Sequence, residues 1–260
     1  MQITPLELNP ELELTSLANE LSVHKKVRIE NVLTDDSAEA ISETLKQYTA
    51  WQLAYTDKES KPTTMSNEEL NKLSDAEYDT LKQDVYSRAA QEYQFMYKFF
   101  PIINGINAGT ITDKSMLFHI ASFLNGTEFI KFARQLTNHN SLVKVDPQAS
   151  LYEGGHFLNL HDDISYSNDI NDQSIRRYAI VLGFTKNWSV NWGGNTSFYT
   201  GANFSSSETW YPGFNTLTVF EVPALHRVNF IAPYAPKGRY SITGWLRDDP
   251  TISRPDLDDA

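Results

Sequence analysis

The second half of the chain consists of short β-like runs, and this pattern restricts the possible fold more than any other feature of the sequence. From Ser141 onward these runs are separated by glycine, proline and asparagine, and no long helical period lies between them. Many short strands of this kind are typical of a β-sandwich or a jelly roll. We therefore expect residues 141–247 to form a double-stranded β-helix (jelly roll). The clearest runs are Leu142–Val145, Ser150–Tyr152, Tyr178–Leu182, Thr216–Phe220 and Arg239–Trp245.

Residues 1–140 are predicted to be mainly helical, to buttress one sheet of the jelly roll and to add elements on the substrate side. A capping-box pattern at 36–39 predicts a helix that continues to about Tyr48. Apolar residues then recur at helical spacing over about 67–100. We attribute the aromatic side chains near the end of this segment to packing on a sheet rather than to a ligand site. The residues that would share one helix face are Leu81, Val85, Ala89, Tyr93 and Tyr97.

The remaining segments complete the expected architecture. Half-buried or short strands are predicted over 26–33 and 51–55, and a polar loop over 58–64. A helix over 114–135 should be interrupted near residues 125–126. The tail 248–260, rich in aspartate, is expected to be a solvated end. The whole chain, 1–260, is then a single α+β domain with a jelly-roll core.

The composition narrows the class of function. The 33 acidic and 22 basic residues give a net charge of −11, so nucleic acid is not expected as a partner. No apolar run has the length of a membrane span, and the opening residues lack the pattern of a secretory signal, so we expect a soluble, cytoplasmic protein without a membrane segment. Because the chain contains no cysteine, a transition-metal site must use His, Asp and Glu side chains.

His161 and Asp163 form an H-x-D pair, and His226 follows 63 residues later. Alternate residues of a strand point to the same face, so the pair can offer both donors to one ion. A distant strand of an antiparallel jelly roll can bring His226 alongside. Two imidazoles and one carboxylate are the facial triad that holds non-haem Fe(II) and leaves other positions open. An H-x-D pair alone is a weak signal, and His156 could line the same pocket.

Four sequence blocks surround this pair in a specific order and spacing. They are Tyr152-Glu-Gly-Gly-His-Phe-Leu-Asn-Leu-His161-Asp-Asp163, the passage from Arg176 through Trp188 to Trp192-Gly193-Gly194, the segment Pro212–Val228 around His226, and Gly238-Arg239-Tyr-Ser241-Ile-Thr-Gly244-Trp245. Together they resemble the 2-oxoglutarate oxygenases of the prolyl 4-hydroxylase type over about residues 150–247. The closing R-x-S-x-x-G-W is similar to that of the ribosomal prolyl hydroxylases. The first 140 residues carry no motif of comparable specificity.

The resemblance implies that His161, Asp163 and His226 bind Fe(II). It implies that Arg239 pairs with the distal carboxylate of 2-oxoglutarate and that Tyr152 lines the co-substrate pocket. Ser241 shares a strand face with Arg239 and could add a hydrogen bond to that carboxylate. The cofactors are then Fe(II), 2-oxoglutarate and O2, with ascorbate as a reductant, and no catalytic residue is needed beyond the metal ligands. The ligand types do not separate Fe(II) from Mn(II).

One departure from the family pattern concerns the co-substrate. Where the family usually has Tyr-Leu-Asn before the tryptophan, this chain has Gly183-Phe184-Thr185. Some prolyl hydroxylases place a tyrosine that contacts the co-substrate there. In this chain the contact is either absent or supplied by Tyr178 or Thr196.

The expected activity is hydroxylation of a prolyl residue in a protein or peptide, with release of succinate and CO2. The alternatives are a hydroxylase of a free amino acid or small biosynthetic intermediate, a non-oxidative metal enzyme, and a catalytically silent jelly-roll module. The intact triad and Arg239 favour an enzyme over the silent module, and succinate formation separates an oxygenase from the non-oxidative enzymes. Loops 57–67, 165–174 and 200–211 are expected to border the substrate. The sequence does not define the oligomeric state.

Overall fold

The computed structural model describes residues 5–48, 50–164 and 174–257 of the 260-residue chain. The helices are α1 Leu14–His24, α2 Asp35–Gln47, α3 Asn67–Leu70, α4 Asp75–Ala89, α5 Ile102–Asn107, α6 Met116–Leu124 and α7 Thr127–Thr137. The strands are β1 Lys26–Glu30, β2 Gln52–Thr56, β3 Pro62–Met65, β4 Phe95–Pro101, β5 Leu142–Val145, β6 Gln148–Tyr152, β7 Phe157–His161, β8 Ile175–Phe184, β9 Thr196–Thr200, β10 Ser206–Trp210, β11 Phe214–Glu221, β12 His226–Val228 and β13 Arg239–Asp248.

The strands form one curled antiparallel sheet, which confirms the predicted jelly-roll core. Its order is β1-β11-β8-β13-β6-β4-β7-β12-β9-β10, with β2 and β3 added beside β4, and β5 beside β13. The two ends of this order meet through side chains, because Lys26 of β1 forms an ion pair with Glu208 of β10 at 2.9 Å. The curled sheet therefore surrounds a space that inward-facing side chains of many strands can reach.

The helices from the first half of the chain cover part of this sheet, as expected. In α7, Phe129, Ile130, Ala133 and Leu136 recur at helical spacing and are buried. They belong to the largest apolar cluster, which also contains buried residues of α2, α6, β8 and β13. The predicted interruption near residues 125–126 is also present, since α6 ends at Leu124 and α7 begins after it.

The single helix predicted over 67–100 is divided into α3 and α4, and the prediction is wrong beyond Ala89, where α4 ends. Tyr93 lies in the following loop and Tyr97 lies in β4, which pairs with β2, β6 and β7. Phenylalanine and tyrosine are frequent in strands, and the pairing partners that select the strand are distant in sequence. A spacing of four residues therefore did not distinguish the end of a helix from the strand that follows it.

Three smaller predictions also differ from the structure. The helix α2 begins at Asp35 after Thr34, and the Ser37 hydroxyl accepts a hydrogen bond from the Glu7 N–H, so the capping box at 36–39 is wrong. Residues 62–64 of the predicted loop belong to β3. In the tail, Leu257 is only 3 % exposed and packs in the largest cluster, so the described part is not fully solvated. That the whole chain forms a single domain stays a prediction. No helix in the described ranges is long and apolar enough to cross a membrane.

Candidate active site

The sheet register brings the three sequence-predicted metal-ligand candidates together. β12 runs antiparallel to β7, and His226 lies directly opposite His161. The Nε2 of His161 is 3.4 Å from Oδ1 of Asp163, and the Nε2 of His226 is 3.6 Å from Oδ2 of the same carboxylate. One donor atom from each residue lies within 4.8 Å of the other two. Such a cluster can enclose a single metal ion.

Asp163 reaches this cluster by a route that the sequence argument did not foresee. β7 ends at His161, and Asp163 adopts a left-handed backbone conformation with φ of 64°. The rule that alternate strand residues share a face therefore does not apply to it. A turn closes here, in which the Asp162 carboxylate accepts a hydrogen bond from the Ile164 N–H. Aspartate tolerates the left-handed region better than most residues, because its short polar side chain can bond locally.

Hydrogen bonds fix the tautomers of both histidines. The Nδ1–H of His161 donates to the carbonyl of Asn159, and the Nδ1–H of His226 donates to the carbonyl of Ala224, each at 2.8 Å. Since a carbonyl can only accept, Nδ1 carries the proton and Nε2 keeps its lone pair. Both Nε2 atoms face Asp163, which is the orientation that metal-binding imidazoles take.

The charge states agree with this assignment. Burial, with the nearby His161, lowers the pKa of His226 to about 4, so the imidazole is neutral near pH 7. Burial alone would raise the pKa of Asp163. The adjoining imidazoles of His161 and His226 and the Trp245 indole outweigh that effect, so the pKa is lowered and the carboxylate is ionised. Two imidazoles and one carboxylate fit a divalent transition metal such as Fe(II).

The competing His156 is excluded from this cluster by its own hydrogen bonds. Its Nδ1 accepts from the Glu153 N–H at 3.0 Å, which leaves the proton on Nε2. That Nε2 lies 3.3 Å from the hydroxyl of Tyr78 on α4. Burial lowers the pKa of His156 to about 4. Both ring nitrogens are therefore committed to structural contacts, with the tautomer opposite to that of the other two histidines.

A cavity of about 220 Å³ adjoins the cluster. This volume is several times the ~30 Å³ that one water occupies in the liquid, so a small organic acid can fit. Alternate residues of β13 line one wall of the cavity. They are Arg239, Ser241, Thr243 and Trp245.

Arg239 is buried in this wall without a carboxylate partner among the residues that the structure describes. It is 7 % exposed and donates to the Gly194 carbonyl at 2.8 Å and to the Thr196 hydroxyl at 3.2 Å. Burial lowers its pKa from the usual value, although an arginine keeps its proton. A buried charge is costly unless it is paired. The pocket therefore has the electrostatic character of an anion site.

Ser241 and Tyr152 lie beside this guanidinium. The Ser241 hydroxyl is buried and makes no hydrogen bond within the described part of the chain. Tyr152 lies opposite Arg239 in the register of β6 and β13, and its ring centroid is 5.5 Å from the guanidinium carbon. An oxygen-rich ligand in the cavity could accept from Arg239 and satisfy the Ser241 hydroxyl.

Tyr97 is a pocket residue that the sequence reasoning missed. Its ring stacks on Tyr152 with centroids 4.9 Å apart and an interplanar angle of 11°. Tyr93 lines the same cavity, with 47 % of its surface exposed and its ring 6.4 Å from that of His161. The alternation of Phe95, Tyr97 and Phe99 was the available signal, because strand residues of one face alternate.

The structure indicates which residue could replace the family tyrosine that is missing at Gly183-Phe184-Thr185. Thr196 lines the cavity and contacts Arg239, whereas Tyr178 packs in the largest apolar cluster and against His139. Of the two proposed substitutes for the family tyrosine, Thr196 is therefore the one in position.

The cavity lining can also be compared with the loops expected to border the substrate. Residues 57–67, 174 and 200–211 do not line the cavity, and loop residues 165–173 lie outside the described residues.

Comparison with known proteins agrees with this site. Residues 147–247 match the family model described as the 2OG-Fe(II) oxygenase superfamily. A search of curated proteins gives no match. The matched segment contains the whole triad and Arg239, so the part of the chain that carries the site is similar to the oxygenases of this superfamily. An oxygenase of this superfamily would bind Fe(II), 2-oxoglutarate and O2.

Solved structures share the fold at low sequence identity. A prolyl-4-hydroxylase from Pseudomonas putida is 15 % identical with a TM-score of 0.56, covering 91 % of this chain and 99 % of that one. A prolyl hydroxylase from Trichoplax adhaerens, in complex with a peptide of hypoxia inducible factor, is 16 % identical with a TM-score of 0.58, covering 90 % and 89 %. The non-heme alpha-ketoglutarate-dependent epimerase SnoN from nogalamycin biosynthesis is 12 % identical with a TM-score of 0.52, covering 94 % and 84 %.

Proposed function

We propose that this protein is an Fe(II)- and 2-oxoglutarate-dependent oxygenase that hydroxylates a prolyl residue in a protein or peptide and releases succinate and CO2. His161, Asp163 and His226 hold Fe(II). Arg239 and Ser241 bind the distal carboxylate of 2-oxoglutarate, and Tyr152 forms the wall beside it. Ascorbate serves as a reductant. These assignments treat residues 1–260 as one catalytic domain.

The buried and unpaired charge of Arg239 is the observation that carries the co-substrate assignment. The guanidinium lines the same cavity as the triad, and its hydrogen-bond partners in the described part of the chain are a carbonyl and a hydroxyl. A dicarboxylate would supply the missing negative charge through two parallel hydrogen bonds. A structural arginine in a silent module would be expected to have a carboxylate partner from the protein itself.

The protein groups around the site hold the metal ion, orient its ligands and exclude water from the cavity. With 2-oxoglutarate and O2 bound, Fe(II) supplies the oxidising chemistry. The carbonyls of Asn159 and Ala224 hold the two imidazoles with Nε2 toward the ion. The stacked rings of Tyr97 and Tyr152 close the cavity beside Arg239. No proton-transfer residue is needed beyond these.

The prolyl substrate is supported by the sequence blocks that resemble the prolyl 4-hydroxylases. Half-exposed Tyr93 beside His161 offers an aromatic surface at the mouth of the cavity, against which a pyrrolidine ring could pack. Because SnoN shares the fold and belongs to a biosynthetic pathway, a small-molecule substrate is the alternative that experiment must exclude. The cytoplasmic location stays a prediction.

Succinate formation is the first test. Protein purified without oxygen is given Fe(II), ascorbate, O2 and 2-oxoglutarate, beside an Asp163→Ala control. We expect succinate from the wild-type protein and none from the control. Failure of the wild-type protein both to form succinate and to bind 2-oxoglutarate would refute the oxygenase assignment.

Substrate class is tested next with a peptide library in which each proline has an alanine-substituted counterpart. A mass gain of one oxygen that needs the proline supports prolyl hydroxylation. Oxidation of a free amino acid or small acid, with no modified peptide, would favour the alternative.

A further inference from the structure

A β-bulge in β8 turns Arg176 toward the candidate metal centre. Trp245 pairs with Ala179 and Leu246 with Tyr178, but the next residue of β13, Arg247, pairs with Arg176. Arg177 is therefore an extra residue in β8. Without it, the alternation of the strand would direct the Arg176 side chain to the opposite face. Bulges near active sites commonly re-aim a side chain in this way.

Within the described part of the chain, Arg176 contacts both Trp245 and Asp163. Its guanidinium carbon lies 3.6 Å from the centroid of the Trp245 ring, which lines the cavity. Its Nη1–H donates to the backbone carbonyl of Asp163 at 3.3 Å. The planar guanidinium can stack and donate at the same time, which an ammonium cannot do with the same geometry.

The backbone of Asp163 is the part of the site that most needs such support. Its φ of 64° lies in a region that non-glycine residues rarely adopt, and the regular pairing of β7 has already ended at His161. The hydrogen bond from Arg176 goes to the backbone carbonyl of Asp163, so the arginine acts on the backbone at this position.

We propose that Arg176 is a positioning residue that fixes Asp163 in the left-handed conformation required to face His161 and His226. The inference rests on the proposed metal centre. The Arg176 guanidinium is oriented by stacking on the Trp245 ring, and the bulge at Arg177 turns the Arg176 side chain toward that ring. The metal affinity of the triad then depends on a residue that touches neither the ion nor the carboxylate.

Cobalt binding tests the proposal without turnover. Metal-free full-length protein is titrated with Co(II), and the dissociation constant and the visible d–d absorption are recorded. Loss of a group that orients a metal ligand typically weakens binding by about 10–100-fold. We expect this loss and an altered absorption band in Arg176→Gln.

The adjacent arginine gives a matched control. Arg177 forms an ion pair with Asp248 at 2.6 Å, so Arg177→Gln removes the same charge from the neighbouring position of β8. We expect its Co(II) affinity and spectrum to remain those of the wild-type protein. Equal losses in both glutamine variants would overturn the proposal, because charge alone would then explain them.

Two further outcomes are distinguished. Wild-type affinity and spectrum in Arg176→Gln would overturn the positioning role while leaving the metal centre intact. Absence of Co(II) binding by the wild-type protein would instead refute the metal centre itself. Should Arg176→Gln fail to fold, as judged by thermal unfolding of the metal-free protein, Arg176→Lys replaces it in the titration. That variant keeps the charge without the planar fork, and wild-type binding by it would overturn the proposal.

Discussion

Replacement of Arg239 by methionine should have opposite consequences for folding and for co-substrate binding. In the free protein the substitution removes hydrogen bonds to Gly194 and Thr196, which contribute about 1 kcal/mol each. It also removes a buried charge, whose desolvation costs several kcal/mol when no counter-charge is present. These effects have opposite signs. We therefore expect the free energy of unfolding to change by less than about 2 kcal/mol, or to increase.

The effect on 2-oxoglutarate binding should be much larger. A bidentate pair between Arg239 and a carboxylate has two charge-assisted hydrogen bonds of about 1.5–3 kcal/mol each. Their loss amounts to about 3–6 kcal/mol. With about 1.4 kcal/mol for each factor of ten, the dissociation constant of 2-oxoglutarate should rise roughly 10²- to 10⁴-fold.

Calorimetric titration of the Mn(II)-loaded protein with 2-oxoglutarate measures this affinity, and urea denaturation of the metal-free protein measures the stability. Arg239→Lys is the matched variant, since it keeps the charge but loses the planar fork, and its affinity should lie between the other two. A stability loss above about 3 kcal/mol in Arg239→Met, with unchanged 2-oxoglutarate affinity, would refute the reasoning and make Arg239 a structural residue.

Two further predictions concern the surroundings of the site. Burial lowers the pKa of His156 to about 4 in the folded protein, whereas an unfolded histidine titrates near 6.5, so the unfolded chain alone takes up the proton between these values. The free energy of unfolding should therefore fall by up to about 3 kcal/mol, from this residue, as the pH decreases from about 6.5 to 4. Urea denaturation at pH 7 and pH 5 should show a smaller decrease in His156→Gln than in the wild-type protein. An equal decrease in the two proteins would contradict the assignment. Tyr97→Ala should lower the free energy of unfolding by about 3–5 kcal/mol, because it leaves a void beside the stacked Tyr152 ring. Tyr97→Phe keeps the ring and should change the free energy of unfolding by less than about 1 kcal/mol. Similar losses in both variants would show that the hydroxyl matters more than the stacking.

The metal-ligand candidates could be found from the sequence because their signal is a motif in a fixed order. The strand that carries Arg239 is a short β-rich run assigned from local composition, whereas the strand positions of His161 and His226 were expected from the H-x-D pair and the family resemblance. The register that sets His226 opposite His161 is a property of the folded sheet. The sequence motif was compatible with this register but did not define it. The conformation of Asp163 was not predictable from the same-face rule, because that rule assumes a strand that continues.

The contribution of the first half to the pocket could not be read in the same way. Tyr93 and Tyr97 continue the four-residue spacing of α4, so periodicity alone extended the helix over them. β4 exists because it pairs with β2, β6 and β7, which are separated from it by many residues of sequence. Non-local pairing decides the conformation of such aromatic segments more than intrinsic preference does.

The strand β13 connects the proposed co-substrate anchor with the metal centre, and its register sets the distance between them. Arg239, Ser241, Thr243 and Trp245 face the cavity in succession, and at about 3.3 Å per residue the first and last α-carbons lie roughly 20 Å apart. Arg239, at the start of β13, thus defines the proposed anion-binding end of the cavity. Trp245, near the other end of the strand, lies on the side of Asp163. Insertion of one residue between Arg239 and Trp245 would turn one of these ends away from the cavity, since a shift of one residue reverses the face. The bulge in β8 lies just beyond Trp245, so it can redirect Arg176 without disturbing the alternation that presents the other end of the pocket.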